Sequence, residues 1–143
     1  MRVSATDWVE GGWSIQETIA FVEALQTRGC AAIHVSSGVS SPSAQIPIGP
    51  GYQVPLARAI KQAATLPVIA VGLITEFEQA ESILSTGDAD LIALALAMLY
   101  DPRWPWHAAA YFGAPSHSAK TVSSLPTQSV AKSVLPTSVL RHT

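Results

Sequence analysis

The chain has 143 residues, of which 48% are hydrophobic and only 13% are charged, whereas a soluble domain usually carries about 25% charged residues. Its net charge of −2 gives no electrostatic basis for binding nucleic acid or a membrane surface, and its single cysteine excludes an internal disulfide and a multi-cysteine metal site. No run of about 18 apolar residues could span a bilayer and no secretory leader is visible, so we expect a cytoplasmic protein.

A strand and a helix open the chain. Residues 1–5 have the pattern of a strand end, and a polar loop that contains two glycines follows them. Ser14 and Glu17 then form a Ser-x-x-Glu capping box, and apolar residues recur behind it at spacings of three and four. We therefore predict a strand at residues 1–5 and a helix over residues 14–28.

A second strand and a second helix follow, joined by a long loop. Residues 31–35 predict the strand, which ends in the Ser-Ser-Gly sequence of residues 36–38. The loop after it has about 15 residues, which is longer than most connections and suggests a functional or interface role. Pro55 stands where the first residue of a helix would, and the apolar stripe behind it predicts a helix that ends near Thr65.

The third strand is the segment around which the rest of the chain is organised. Aliphatic and β-branched residues predict a buried strand over residues 67–72, which passes through a glycine turn into a helix. Thr75 and Glu78 form a second capping box for that helix, and Gly87 closes it. After a short turn, the continuous apolar run of residues 91–97 predicts the last strand.

The remaining residues divide into a short helix and a tail. Asp101 and Pro102 start the helix, which ends at Gly113. Residues 114–143 are rich in Ser, Thr, Val and Pro and contain a degenerate repeat, so we expect them to be disordered or poorly packed. The predicted organisation is therefore one α/β domain over residues 1–113 and a low-complexity tail.

Strand and helix thus alternate four times. Alternation at this spacing predicts a parallel sheet with right-handed crossovers. Four βα units are either half of an eight-stranded barrel or a small open sheet. Both architectures place their chemistry at the carboxyl ends of the strands.

Few residues at those strand ends could carry chemistry. Arg2, near the end of the first strand, could hold an anion or a carbonyl-rich ring, or be an ordinary surface arginine. Residues 36–38 could donate hydrogen bonds to a ligand or simply form a turn. Gly72 could let the backbone approach a phosphate or serve only the turn. His34 fits a core or barrel-wall residue better than a ligand, and no second histidine lies near it in sequence to form a metal-binding pair.

Five segments in order resemble the Old Yellow Enzyme family, in particular its bacterial xenobiotic-reductase branch of NADPH-dependent flavin oxidoreductases. Each motif is weak alone, but the ordered set is specific, and it covers residues 1 to about 113. The segments are Arg2-Val-Ser-Ala5, Val35-Ser-Ser-Gly38, Gly49-Pro-Gly-Tyr-Gln-Val-Pro55, Ala70-Val-Gly-Leu-Ile-Thr75, and Asp90-Leu-Ile-Ala with the later Tyr100-Asp-Pro102.

The resemblance implies a (β/α)8 barrel that binds FMN at the carboxyl ends of its strands, with this chain as strands five to eight. Arg2 would contact the flavin ring, and the backbone of Ala70, Val71 and Gly72 would lie near the FMN phosphate. Ala95-Leu96 stand where the family has a Gly-Arg or Ala-Arg pair that contacts the phosphate. Leucine can neither pair with nor hydrogen-bond a phosphate, so the implied phosphate site lacks its arginine.

The family's reaction passes a hydride from NADPH through FMN to an activated alkene or a similar small-molecule acceptor. Its first half supplies the His-x-x-His or His-x-x-Asn pair and the proton-donating tyrosine, so we expect no catalytic residue and no activity in this chain alone. With one cysteine and no paired histidine, we expect no metal ligand either. A truncated, frameshifted or degraded gene product would have this combination. The alternative is a non-catalytic remnant that at most binds a phosphate compound or a partner chain. Exposed strand edges at residues 1–5 and 91–97 would favour self-association.

Overall fold

The structure is a computed structural model that describes residues 1–38 and 41–114. Apart from Ala114, the predicted tail lies outside these residues. The described part contains four strands and five helices. The strands are β1 (Arg2–Ser4), β2 (Ile33–Ser36), β3 (Val68–Ala70) and β4 (Leu91–Ile92), and the helices are α1 (Ile15–Gln26), α2 (Val54–Ala63), α3 (Phe77–Ser85), α4 (Leu96–Tyr100) and α5 (Trp104–Tyr111).

The four strands form one parallel sheet in the order β1-β2-β3-β4. Each strand pairs with the next one along the chain, and a helix follows every strand, so the predicted α/β alternation is confirmed. The observed strands are shorter than predicted or shifted by one or two residues. Within the described residues, β1 and β4 are the two edges of the sheet.

The start of α1 shows how local sequence fixes an element. The Ser14 hydroxyl accepts a hydrogen bond from the Glu17 backbone N–H at 3.3 Å, and the Glu17 carboxylate accepts one from the Ser14 N–H at 2.8 Å. This is the predicted capping box. One turn later, the buried Thr18 hydroxyl donates to the Ala5 carbonyl at 3.0 Å, which ties α1 to the residue after β1.

The second predicted capping box is wrong. Helix α3 begins at Phe77, and its N-cap is Glu76, which makes no side-chain capping bond. The backbone of Thr75 is engaged elsewhere: its N–H donates to the Gln79 side chain at 3.1 Å, and its carbonyl accepts from the Trp104 indole at 2.9 Å. Because Thr75 is held from both sides, the helix starts after it.

The strand predicted over residues 91–97 is also wrong beyond its first two residues. β4 ends at Ile92, and α4 begins at Leu96, with Ala95 as its N-cap. Ile92 is the only β-branched residue in the run, and the alanines, leucines and methionine after it favour a helix over a strand. Ala95 and Leu96 therefore lie at the start of a helix and not in a strand.

One face of the sheet carries the core. Ile33, Val35, Val68 and Ala70 point to it, and all four are fully buried. Buried residues of the helices pack against them, among them Val22 of α1, Ala57 and Ile60 of α2, and Ile83 of α3. We call this side the covered face.

The other face carries Arg2, His34, Ile69 and Leu91, which stand side by side in register across the four strands. None of these residues is buried, and Leu91 is 52% exposed. We call this side the open face. None of the described helices is long and apolar enough to cross a membrane.

Candidate functional site

Arg2 lies on the open face. The sequence predicted that it lies near the end of the first strand, but it is the first residue of β1. Its side chain still reaches the carboxyl end of the sheet, because Nε donates to the hydroxyl of Ser36 at 3.2 Å. Ser36 is the last residue of β2, and its hydroxyl donates in turn to the Val3 carbonyl at 3.1 Å. The guanidinium is thus oriented at one nitrogen and remains on an exposed side chain.

His34 is the neighbour of Arg2 across the sheet. Burial lowers the pKa of its imidazole, and the positive charges of Arg2 and the N-terminus lower it further. His34 is a residue of the sheet wall, as predicted. Its Nε2 is nevertheless buried without a hydrogen-bond partner in the described structure, so this ring nitrogen is not satisfied. No group of three His, Cys, Asp or Glu side chains that could hold a metal occurs among the described residues.

The carboxyl ends of β3 and β4 enclose a small cavity of about 100 Å³. It brings together three of the residues that the resemblance implied for FMN: Val71, Ala95 and Leu96. Ala70 is not among the residues that line it, since it is fully buried in β3 and lies on the covered face. The lining side chains are aliphatic apart from Thr75, and no lysine or arginine is among them.

Gly72 follows β3 and has a φ of +121°, a conformation that side chains other than glycine's rarely adopt. A Cβ at this position would lie 3.1–3.2 Å from three atoms of the Gln53 side chain. The space beside Gly72 is therefore already filled by protein. The sequence is compatible with two roles for this glycine, the approach to a phosphate and the turn, and the structure adds a third, the packing of Gln53.

Gln53 is the site residue that the sequence analysis missed. Its side chain is 5% exposed, and its amide nitrogen donates to the hydroxyls of Ser37 at 2.9 Å and Tyr52 at 2.8 Å. It thereby joins the turn after β2 to the turn after β3. The available signal was a polar residue at the end of the unusually long loop, directly before the amphipathic α2.

These observations allow the implied FMN site to be tested against the residues present. The exposed guanidinium of Arg2 suits an electron-rich ring. The β3–β4 cavity does not suit a phosphate, because no lysine or arginine lines it. Gly72 does not line the cavity, and Gln53 covers one side of this glycine. The residues present therefore fit the ring end of FMN but not its phosphate end.

Known proteins match the chain over most of its described length. The model of the NADH:flavin oxidoreductase / NADH oxidase family matches residues 1–112. An NADPH dehydrogenase of Geobacillus thermodenitrificans is 41% identical over 113 residues, which are 79% of this chain and 33% of that protein. An NADPH dehydrogenase of Halalkalibacterium halodurans is 44% identical with the same coverage. An NADH oxidase of Thermoanaerobacter brockii is 39% identical over 73% of this chain and 17% of its own length.

Solved structures show the same fold. A 2-naphthoyl-CoA reductase in complex with 2-naphthoyl-CoA superposes with a TM-score of 0.68 at 24% identity, over 80% of this chain and 18% of that chain. A histamine dehydrogenase from Rhizobium sp. 4-9 superposes with a TM-score of 0.64 at 25% identity, over 79% and 16%. The four βα units thus correspond to half of a (β/α)8 barrel.

The chain spans about a third of the length of the NADPH dehydrogenases that it matches. The family uses FMN, with NAD(P)H as the reductant. The resemblance to the Old Yellow Enzyme family is confirmed: the chain belongs to the NADH:flavin oxidoreductase / NADH oxidase family.

Proposed function

We propose that this chain supplies strands five to eight of an FMN-dependent NAD(P)H oxidoreductase of the ene-reductase type, and that it is inactive by itself. The observation that carries the proposal is the family match over four parallel βα units, with Arg2 on the open face of their sheet. The 143 residues contain no His-x-x-His or His-x-x-Asn pair to bind an acceptor. The acceptor of the whole enzyme would be an activated alkene or a similar small molecule, and a cytoplasmic location remains a prediction.

Arg2 is the residue that we assign to the flavin ring. When bound, FMN supplies the hydride-transfer chemistry, and the protein supplies orientation and electrostatics. The Ser36 hydroxyl accepts a hydrogen bond from Nε of Arg2, which leaves the two terminal nitrogens, as far as the described residues go, to an anionic or carbonyl-rich group. A positive charge at this position would stabilise negative charge on the ring.

By the resemblance, the phosphate end of FMN would lie at the backbone of residues 70–72 and at Ala95 and Leu96, where the residues present do not fit it. Because this cavity lacks a cation, we expect the chain to bind FMN weakly. The purified full chain should therefore carry no stoichiometric yellow flavin absorbance at about 450 nm. A preparation that retains one flavin per chain would contradict the expectation that the chain binds FMN weakly.

A charge at position 96 should restore phosphate affinity. Leu96→Arg is expected to raise the affinity for FMN at least about tenfold, or about 1.4 kcal/mol, and to leave the affinity for riboflavin, which lacks the phosphate, unchanged. Quenching of flavin fluorescence on titration measures both. Leu99→Arg is the matched control, because Leu99 lies in the same helix, is 80% exposed and does not line the cavity. An equal gain in both variants would show nonspecific attraction only.

The second candidate is a non-catalytic remnant that at most binds a phosphate compound or a partner chain. The aliphatic cavity favours this candidate, since it gives FMN no charged anchor. Isothermal titration of the full chain with FMN and with inorganic phosphate separates the alternatives. FMN binding supports the flavoprotein segment. Binding of inorganic phosphate without FMN supports the remnant. If the chain binds neither compound, a partner chain is the one remaining ligand of the remnant.

We also propose that the chain associates with itself through β1 and β4. Leu91 in β4 is 52% exposed, and the helix that follows exposes Leu96, Leu99 and Tyr100 by 66%, 80% and 95%. Neither edge strand contains a proline or a lysine that would discourage pairing. Light scattering should show a mass above that of one chain, and a monodisperse monomer would contradict this.

A further inference from the structure

The carboxamide of Gln53 lies where the turns after β2 and β3 meet. Its amide nitrogen is bonded to Ser37 in the first turn and to the neighbouring Tyr52, and its side chain packs against Gly72 in the second. A backbone bond supports the same contact, because the Gly51 N–H donates to the Gly72 carbonyl at 2.9 Å. The side chain is almost completely buried, so its polar end is committed to this junction.

The backbone after β3 has an uncommon conformation. Gly72 has a φ of +121°, and Leu73 follows with a φ of +49°, in the left-handed region that a leucine seldom adopts. Gly29 and Gly87 also have positive φ, at +81° and +75°, but a Cβ at either would meet no atom within 4 Å. Gly72 therefore combines the conformational demand of those glycines with a steric demand that they lack.

We propose that Gln53 is a positioning residue that holds the Gly72–Leu73 backbone in this conformation at the carboxyl end of β3. Ser37 and Tyr52 orient the Gln53 side chain by accepting hydrogen bonds from its amide nitrogen. Its Cβ, Cγ and Oε1 atoms occupy the place of a side chain at Gly72, and residue 72 must therefore be glycine. The link between this loop and a bound cofactor rests on the proposed function. The action of Gln53 on the loop does not depend on it.

A double-mutant cycle tests the steric part. The variants of the full chain are Gly72→Ala, Gln53→Gly and the double variant, with Gly87→Ala as the control that introduces the same methyl at positive φ in open space. Gly72→Ala is expected to raise the equilibrium constant of unfolding about tenfold more than Gly87→Ala does. In the Gln53→Gly background this excess should become smaller, because the contact with Gln53 is gone and only the backbone strain of the φ of +121° remains. Glycine is tolerated at residue 53 because it is the N-cap of α2.

An excess of the same size in the Gln53→Gly background overturns the proposal. If Gly72→Ala alone fails to fold, a folded double variant supports the proposal. An unfolded double variant, beside a folded Gln53→Gly chain, overturns it.

A spectroscopic measurement tests positioning apart from stability. Gln53→Met keeps the bulk of the side chain and removes its hydrogen bonds to Ser37 and Tyr52. Under conditions where the variant is folded, the NMR chemical shifts of the Gly72 and Leu73 backbone are expected to move, while those of Gly87 stay. A lower unfolding midpoint with unchanged Gly72 and Leu73 shifts would show a stabilising role only and would overturn positioning. Neither measurement uses flavin, so the FMN titrations decide the proposed function and leave this result standing.

Discussion

The two faces of the sheet differ although the same strands build both. On the covered face, Val35, Val68 and Ala70 are fully buried beneath the helices. On the open face, their sequence neighbours His34 and Ile69 are only partly buried, and neither belongs to the buried core cluster. Alternation along a strand makes this division possible, since successive side chains point to opposite sides. The packing encoded in this chain is thus complete on one side, and the side that a barrel would close around its interior is where Arg2 lies.

The largest effect expected from this contrast is on the covered face. Ile60 in α2 is fully buried, so Ile60→Ala should lower the free energy of unfolding by about 2–5 kcal/mol. Ile69→Ala on the open face should lower it by less than about 1 kcal/mol. Urea unfolding followed by circular dichroism measures both. Equal losses would mean that a layer covers the open face in solution.

A smaller loss of stability is expected when the ion pair between Arg58 and Asp88, in the turn before β4, is removed. Asp88 is 7% exposed, and both of its carboxylate oxygens accept hydrogen bonds from Arg58, at 2.5 and 2.8 Å. Asp88→Asn should lower the free energy of unfolding by about 1 kcal/mol at most, because the Arg58 side chain is 52% exposed and solvent screens the pair. Glu81→Gln is the control, because Glu81 is an exposed residue of α3, and it should change the free energy of unfolding little. A cost no larger than the control's would show that the Arg58 pair adds nothing.

The free energy of unfolding should also depend on pH, through the carboxyl group of Asp90, which lies two residues after Asp88. Hydrogen bonds from Lys61 at 2.7 Å and from the Val68 N–H at 2.8 Å lower the pKa of this carboxyl. A lowered pKa in the folded state stabilises the fold above the unfolded pKa of about 3.9, and this contribution is lost as the pH falls through the folded value. The side chain is 39% exposed, so solvent screens the effect and makes it smaller than that at Asp88.

Urea midpoints measured from pH 7 to about pH 3 test this sign. The chain should lose stability on acidification, and Asp90→Asn should lose less between the same two pH values. An identical slope in both proteins would remove Asp90 from the acid response.

Local signals predicted the fold well and the site poorly. The capping box at Ser14 and Glu17 needs only four residues, and it formed as predicted. The apolar run after β4 could not be divided into strand and helix, because the pattern of a fully buried segment is alike for both. Gln53 escaped detection for a different reason. Its role depends on Ser37 and Gly72, which the chain brings to it only once β2, α2 and β3 have packed.

The smallest change in stability, with a distinct change in assembly, is expected at the edge of the sheet. Leu91→Lys should alter the free energy of unfolding by no more than about 0.5 kcal/mol, because half of this side chain is already in water. It should nevertheless reduce self-association, since a lysine on an edge strand discourages pairing with another strand. Sedimentation velocity at several protein concentrations measures the change.

The control is Leu84→Lys, which adds the same charge at a 38% exposed leucine of α3. If this variant dissociates the assembly equally, net charge and not the β4 edge governs association. If only Leu91→Lys does so, the unpaired edge is the interface. The same sheet then has one side whose packing fixes its stability and an edge that governs its assembly while contributing little to that stability.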